Sequence, residues 1–361
     1  MSISSLRRPV TVLALAALAF TAGAARAEFK DPLTTPAAPT GRVGLAPMTA
    51  VVRVGPQRLV AAGWRGLIAV SDDQGRHWKQ AAVPVREDLS ALAFPTAAHG
   101  WAVGNDGVLL ESTDGGLSWV KRLDGLAAAR LMVDKYTRLA AESPDDKAIA
   151  IALKESNNYL AQAPARPFLD IAFENEQTGY IVGTYNMIFR TTDAGKTWEP
   201  WFEKTDNPNG YNLYAIRVAG DEVYLAGELG LALRLDRSAQ KFVKLRTPYE
   251  GSFFALTGPP TALIAAGLRG NALRSGDGGE TWQKLQFSGA APTTFSAGTV
   301  AANGAVVMVT LSGQIFVSAD GGPAFKALDP TSPMRYSGVA AAGPNTLVLV
   351  GTQGIRLETY K

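Results

Sequence analysis

The 361-residue sequence contains no cysteine and only two histidines. Lack of cysteine excludes disulfides, thiolate metal sites, catalytic thiols and lipid attachment through an N-terminal Cys. His77 and His99 have no motif-defined Ser, Asp or metal partner, so neither a catalytic triad nor a histidine metal centre is expected. An excess of either charge is missing too. Of 35 Lys and Arg, three (Arg7, Arg8 and Arg26) fall in the first 27 residues, which hold no acid, and the remainder balances at 32 basic against 32 acidic. Nucleic acid and anionic lipid both demand a basic surplus, so nucleic acid is not an expected partner. No G-x-G-x-x-G precedes a helical stretch, and no cofactor or metal is expected.

Long apolar runs are likewise absent beyond the N-terminus. Arg7-Arg8, the apolar stretch 10–20 and the small-x-small triplet Ala25-Arg26-Ala27 read as a signal peptide, 1–27, cleaved after Ala27. The mature chain is therefore expected in the periplasm, without a transmembrane anchor of its own after cleavage. Hydrophobic residues make up 47% and charged residues 19% of the sequence. That balance suits a chain able to bury a sizeable core, stabilised by packing alone.

What is present is a repeat. "VAAGWRGLIAVS", "WAVGNDGVLLES", "YIVGTYNMIFRT", "YLAGELGLALRL", "IAAGLRGNALRS", "VMVTLSGQIFVS" and "LVLVGTQGIRLE" each place two alternating apolar runs around a turn usually written G-x-x-G. Such alternation is a hairpin signal. The turns begin at Gly63, Gly104, Gly183, Gly227, Gly267, Thr310 and Gly351, at spacings of 41, 79, 44, 40, 43 and 41. A period of about 40 to 45 residues with four strands per unit is that of propeller blades. The expected architecture is all-β, a single seven-bladed β-propeller over residues 28–361.

A second motif follows four of the hairpins in full: Ser71-x-Asp73-x-Gly75-x-His77-Trp78, Ser112-x-Asp114-x-Gly116-x-Ser118-Trp119, Thr191-x-Asp193-x-Gly195-x-Thr197-Trp198 and Ser275-x-Asp277-x-Gly279-x-Thr281-Trp282. A weaker copy runs from Ser318 through Asp320 and Gly322 to Phe325, and the fourth blade keeps only Asp236 and Phe242. Here the chain resembles the Asp-box, or BNR, propellers, and with its G-x-x-G turns it looks most like the photosystem II stability/assembly factor-like family. Turn chemistry accounts for every residue of the box: the carboxylate accepts backbone N–H groups, Gly takes a positive φ, and Trp packs on apolar surface. Asp73, Asp114, Asp193, Asp277 and Asp320, with Trp78, Trp119, Trp198 and Trp282, are therefore read as structural, and no catalytic residue is assigned.

The double gap of 79 residues is rich in Ala, Leu, Lys and Asp, which favour helix. It predicts a helical hairpin insertion at 121–166 between blades 2 and 3, with helices over 126–142 and 144–160 and Ser143 as N-cap of the second. The seventh blade runs out of chain after its third strand, so "EFKDPL" at 28–33 is expected to supply its outer strand.

Turns between second and third strands should share one face with the connections between blades. On that face the candidate binding residues are Trp64, Arg65, Arg86, Asn105, Asp106, Tyr185, Asn186, Glu228, Arg269, Arg335 and Tyr336, of types common at binding hot spots. The family resemblance implies a non-enzymatic assembly or accessory factor whose partner is a protein, a membrane-embedded envelope complex, for example an exporter. A glycan-acting propeller is the alternative, since Asp boxes also occur in glycosidases. It would need two acids about 5 to 9.5 Å apart in a cleft on that face.

Overall fold

A computed structural model describes residues 30–360. The expected leader, 1–27, lies outside them. Seven sheets follow one another along the chain, antiparallel except that the sixth also takes Gln286–Ser288 parallel to Ala324–Leu328. Their first strands are Met48–Arg53, Leu89–Ala93, Phe168–Phe173, Leu213–Ala219, Phe253–Thr257, Phe295–Val300 and Tyr336–Gly343. Each of these packs against its counterparts in the two adjacent blades, and Tyr336–Gly343 meets Met48–Arg53, so the strands line the axis of a closed ring. The second strands are buried along nearly their whole length because both faces are covered by neighbouring blades.

One hydrogen bond repeats in every blade. The first residue after the turn glycine, or after Thr310, donates its N–H to the carbonyl just before its own inner strand: Trp64 to Pro47, Asn105 to Asp88, Thr184 to Pro167, Glu228 to Asn212, Leu268 to Ser252, Leu311 to Thr294 and Thr352 to Arg335. This bond ties the second turn of each blade to the connection entering it and sets both on one face. It also explains the first glycine of G-x-x-G. Gly63 and Gly104 have extended backbones, but a Cβ there would stand 2.3 Å and 2.1 Å from the same carbonyls, of Pro47 and Asp88. The opposite face carries the Asp boxes, whose turns bond to the first turn of the same blade, as in Gln74 N–H to Gln57 O at 2.9 Å. Every inner strand also carries a β-bulge at its start, which re-aims one residue at the same place in each blade.

The boxes are held by short-range hydrogen bonds. In the first, Ser71 Oγ donates to Asp73 Oδ1 at 2.8 Å, Gly75 N–H donates to Ser71 Oγ at 2.8 Å, and His77 N–H donates to Asp73 Oδ1 at 2.9 Å. Trp78 Nε1 closes it on Gly75 O at 2.9 Å. Burial of the four Trp residues is unequal: Trp119 and Trp198 are buried, whereas Trp78 and Trp282 are half-buried.

Two helices, α1 (Gly125–Glu142) and α2 (Lys147–Gln162), lie between blades 2 and 3. Asp124 caps α1 by accepting Ala127 N–H at 3.1 Å. Asp146 caps α2, accepting Ala148 and Ile149 N–H at 2.8 and 3.2 Å. Ser143 is not the cap expected, because its own N–H closes the end of α1 on Leu139 O. The pair is packed on the blades: Ala128, Ala129, Met132, Tyr136, Ala152 and Tyr159 join Trp101, Phe168 and Phe189 in one core.

Closure by residues 28–33 is corrected. Residues 28 and 29 lie outside the described set, and the remainder of the segment forms a turn, with Leu33 N–H on Asp31 Oδ1 at 2.9 Å. Leu33 enters the core shared by blades 1 and 2, and Pro32 O accepts Arg86 N–H at 2.8 Å. The seventh blade therefore has three strands, Tyr336–Gly343, Thr346–Gly351 and Gly354–Thr359. Pro32 has no N–H for a ladder, and the Asp31 side chain favours a turn.

Candidate functional site

The second-turn face is built from a strained but repeated backbone. Arg65, Asp106, Leu229 and Arg269 take left-handed conformations at φ 56, 53, 49 and 57°, each followed by a glycine that is also left-handed. In blade 3 the pair is Tyr185 and Asn186, at 53 and 61°. Two successive positive φ values make a type I′-like reversal, and a non-glycine residue pays strain for its place in it. Neighbouring blades catch the exposed N–H groups. Arg65 N–H donates to Asp88 Oδ1 at 2.7 Å, Tyr185 N–H to Asn212 Oδ1 at 2.7 Å and Arg269 N–H to Thr294 Oγ1 at 3.3 Å. The backbone of these turns is thus pinned to the next blade.

Of the residues expected on this face, Trp64, Arg65, Arg86, Asn105, Tyr185, Arg269 and Arg335 are exposed, and Asp106 and Glu228 are half-buried. Two expectations are corrected. Asn186 is buried, its side-chain N–H groups on Phe202 O at 3.2 Å and Thr205 Oγ1 at 2.7 Å, while its Oδ1 accepts from Asn207 at 2.8 Å. The connection after blade 3 folds over it. Tyr336 is fully buried because it is the first inward residue of an inner strand, within the core of blades 6 and 7. Burial pushes its hydroxyl up to about 12.

The turns also present apolar side chains that the sequence pattern did not single out. Leu229 is 60% exposed, and Leu268 and Leu311 are exposed in the corresponding turns. With Trp64 and Tyr185, five of the seven blades show a large apolar residue in this turn, at its first position in Trp64, Leu268 and Leu311 and at its second in Tyr185 and Leu229. Between blades 4 and 5 they border a cavity of about 840 Å³ lined by Leu229, Tyr249, Glu250, Leu268, Arg269 and others. Tyr249 is fixed there by its hydroxyl on Leu268 O at 2.8 Å.

The hairpin adjoins this face. Arg166, buried, lies between the rings of Tyr159 on α2 and Tyr185 in the turn, at 5.2 and 4.5 Å, and 3.8 Å from Glu155. Beside blade 2 the face turns acidic. Glu87 is pushed up to about 7 by burial first, then by Asp106, Asp88 and Asp31. Asp106 is raised by burial and by Asp31. His77 and His99 are each held by a carboxylate, Asp73 Oδ2 and Glu111 Oε1, at 2.6 and 2.7 Å.

Comparison with known proteins bears on this arrangement. A family model described as photosynthesis system II assembly factor YCF48 matches residues 48–140 and 158–268, leaving out the end of α1 and most of α2. The photosystem II assembly protein Ycf48 of Synechococcus sp. (strain JA-2-3B'a(2-13)) is 33% identical over 144 residues, 37% of this chain and 42% of that protein. The photosystem II assembly lipoprotein Ycf48 of Picosynechococcus sp. (strain ATCC 27264 / PCC 7002 / PR-6) is 27% identical over 195 residues, half of this chain and 49% of that protein. The matched stretches thus span less than half of these relatives. Among solved structures, "YCF48 bound to D1 peptide" superposes with a TM-score of 0.62 at 16% identity over 88% of this chain and 94% of that one. The WD40 β-propeller domain of Doa1 gives 0.62 at 9% over 91% and 97%. Both support the propeller fold. On a family match covering more than half of its residues, the chain belongs to the photosynthesis system II assembly factor YCF48 family.

Proposed function

We propose that this protein is an exported, non-enzymatic assembly or accessory factor that holds a protein segment of a membrane complex on its second-turn face. The observation that carries the reading is the ring of outward apolar and Arg residues, Trp64, Arg65, Tyr185, Leu229, Leu268 and Arg269, displayed by one repeated turn and pinned by neighbouring blades. Exposed apolar groups clustered on one face mark interaction surfaces, and aromatic and Arg anchors dominate their energetics. Family relatives are named as photosystem II assembly proteins, and one solved relative is titled as bound to a D1 peptide. A protein client of a membrane complex is the corresponding partner here. An exporter as that client draws no support from these relatives, and neither the family model nor the relatives above is described as glycan-acting.

The periplasm is the proposed compartment, after cleavage of 1–27. Several relatives are named as lipoproteins, which fits export. Among the described residues no helix is long and apolar enough to cross a membrane.

Affinity purification of the mature chain from its own envelope is the test. Subunits of a membrane complex are expected to co-purify, and Leu229→Glu with Leu268→Glu, or Arg65→Glu with Arg269→Glu, to reduce their recovery at unchanged melting temperature. Undiminished recovery with both double variants would remove this face from the reading.

A further inference from the structure

The seven inner strands around the axis carry only three charged side chains, Arg53, Asp170 and Arg217. Two of them are satisfied locally. Arg53 is exposed and donates to Gly55 O and Pro56 O at 3.0 Å. Asp170 accepts Ile171 N–H and Ile216 N–H, both at 2.9 Å. Arg217 is different. Among the described residues it donates only to Gly258 O, and its buried Nε has no partner. Burial by itself lowers its pKa, with no carboxylate offsetting the effect. A desolvated guanidinium normally has an ion-pair partner, because leaving it unpaired is costly.

Arg217 lines a cavity of about 310 Å³ at the Asp-box end of the axis. Its other lining side chains are apolar, Phe94 and Pro95 in blade 2, Phe173 in blade 3, Val218 in blade 4 and Leu256 in blade 5, and backbone polar groups lie between them. One cationic side chain among apolar side chains is the chemical complement of a monoanion with an apolar body.

We propose that this cavity is a binding site for a small organic carboxylate, its charged end on Arg217 and its aliphatic or aromatic body against Phe94, Phe173 and Leu256. Guanidinium and carboxylate match in a two-point, charge-assisted geometry. The volume lies at the lower end of small-molecule sites, about 300 to 1,000 Å³. A phosphate fits less well, since its second charge and additional oxygens demand donors that these walls do not offer. The site lies on the face opposite the proposed client surface and does not depend on it.

Calorimetric titration of the mature protein with hexanoate and benzoate, against hexanamide and benzamide, tests the proposal. The acids are expected to bind at least about tenfold more tightly than the amides. Arg217→Gln is expected to abolish that preference and Arg217→Lys to retain part of it. Arg217→Met, which removes a half-buried cation with no ion-pair partner among the described residues, is expected to melt no lower than the parent in the absence of acid. Equal binding of acid and amide, acid preference surviving in Arg217→Gln, or no heat with either acid at up to about 10 mM, which is weaker than the range of useful recognition, would overturn it. Variants of the second-turn face should leave acid binding unchanged, so failure here is separable from failure of the client reading.

Discussion

Tyr136→Phe tests whether the helical hairpin is fastened to the propeller or merely rests on it. The Tyr136 hydroxyl is fully buried, donates to Glu203 Oε2 at 2.6 Å and accepts Phe202 N–H at 2.9 Å. Glu203 also receives Lys135 Nζ at 2.9 Å, and Lys135, itself buried, meets Glu199 at 3.0 Å and Pro200 O. Removing only the oxygen leaves the ring volume intact, so no cavity term arises. What is lost is one hydrogen bond to a charged acceptor, about 1.5–3 kcal/mol, and Phe202 N–H is left buried without a partner, about 1–3 kcal/mol. Relaxation around the retained Lys135–Glu203 pair offsets part of this, so the expected cost is about 2–4 kcal/mol. Urea unfolding measures it, and hydrogen exchange across 125–162 should show faster opening of both helices. A cost below about 0.5 kcal/mol, within the range of ordinary surface changes, would refute the latch. The same group carries a pH signature. Burial and Glu203 hold the Tyr136 pKa well above its ordinary value. Unfolded chains then release this proton above about pH 10 while folded ones keep it, so stability falls as pH rises past that point, and Tyr136→Phe should remove that part of the fall.

Other outcomes follow from the same reasoning. Trp119→Ala should cost about 3–5 kcal/mol, since the ring is buried and edge-on to Phe94, whereas Trp282→Ala, half-buried, should cost clearly less; equal losses in urea melts would contradict the ranking. Asp277 is held at about 2, chiefly by the Thr281 hydroxyl, then by Thr281 N–H and the Ser275 hydroxyl. Its contribution is present above the unfolded carboxylate pKa and lost as pH falls from about 4 to about 2, so Asp277→Asn should flatten acid unfolding over that window. Glu87 and Asp170 are both pushed up to about 7 by burial, so they favour folding below about pH 4 and progressively less as pH rises toward 7. Glu87→Gln is accordingly expected to raise the melting temperature at pH 8 and to leave it nearly unchanged at pH 4, and scanning calorimetry at the two pH values decides it.

Much of the propeller was legible because its signals are local. A hairpin's alternation, the Ser-x-Asp-x-Gly turn and the loss of Gly and β-branched residues between Trp119 and Phe168 each act over a few neighbours, and each led to the element observed. The same local logic failed where a distant segment competes for the same groups. Ser143 loses the cap to Asp146 because its N–H finishes the preceding helix. The segment through Leu33 leaves the seventh blade without a fourth strand: Leu33 packs in the core of blades 1 and 2, Asp31 closes a turn, and Pro32 lacks the N–H a ladder needs. Asn186 and Glu228 occupy equivalent turns, yet only the blade 3 connection folds back to bury one of them. Binding surfaces are set at this second level. The sequence by itself determined a ring of hairpins with stapled turns, since turn and strand chemistry are short-range. Which turn residues face solvent, and that Arg217 has no carboxylate partner among the described residues, only the closing of the ring decided, because burial and ion pairing depend on residues tens of positions apart.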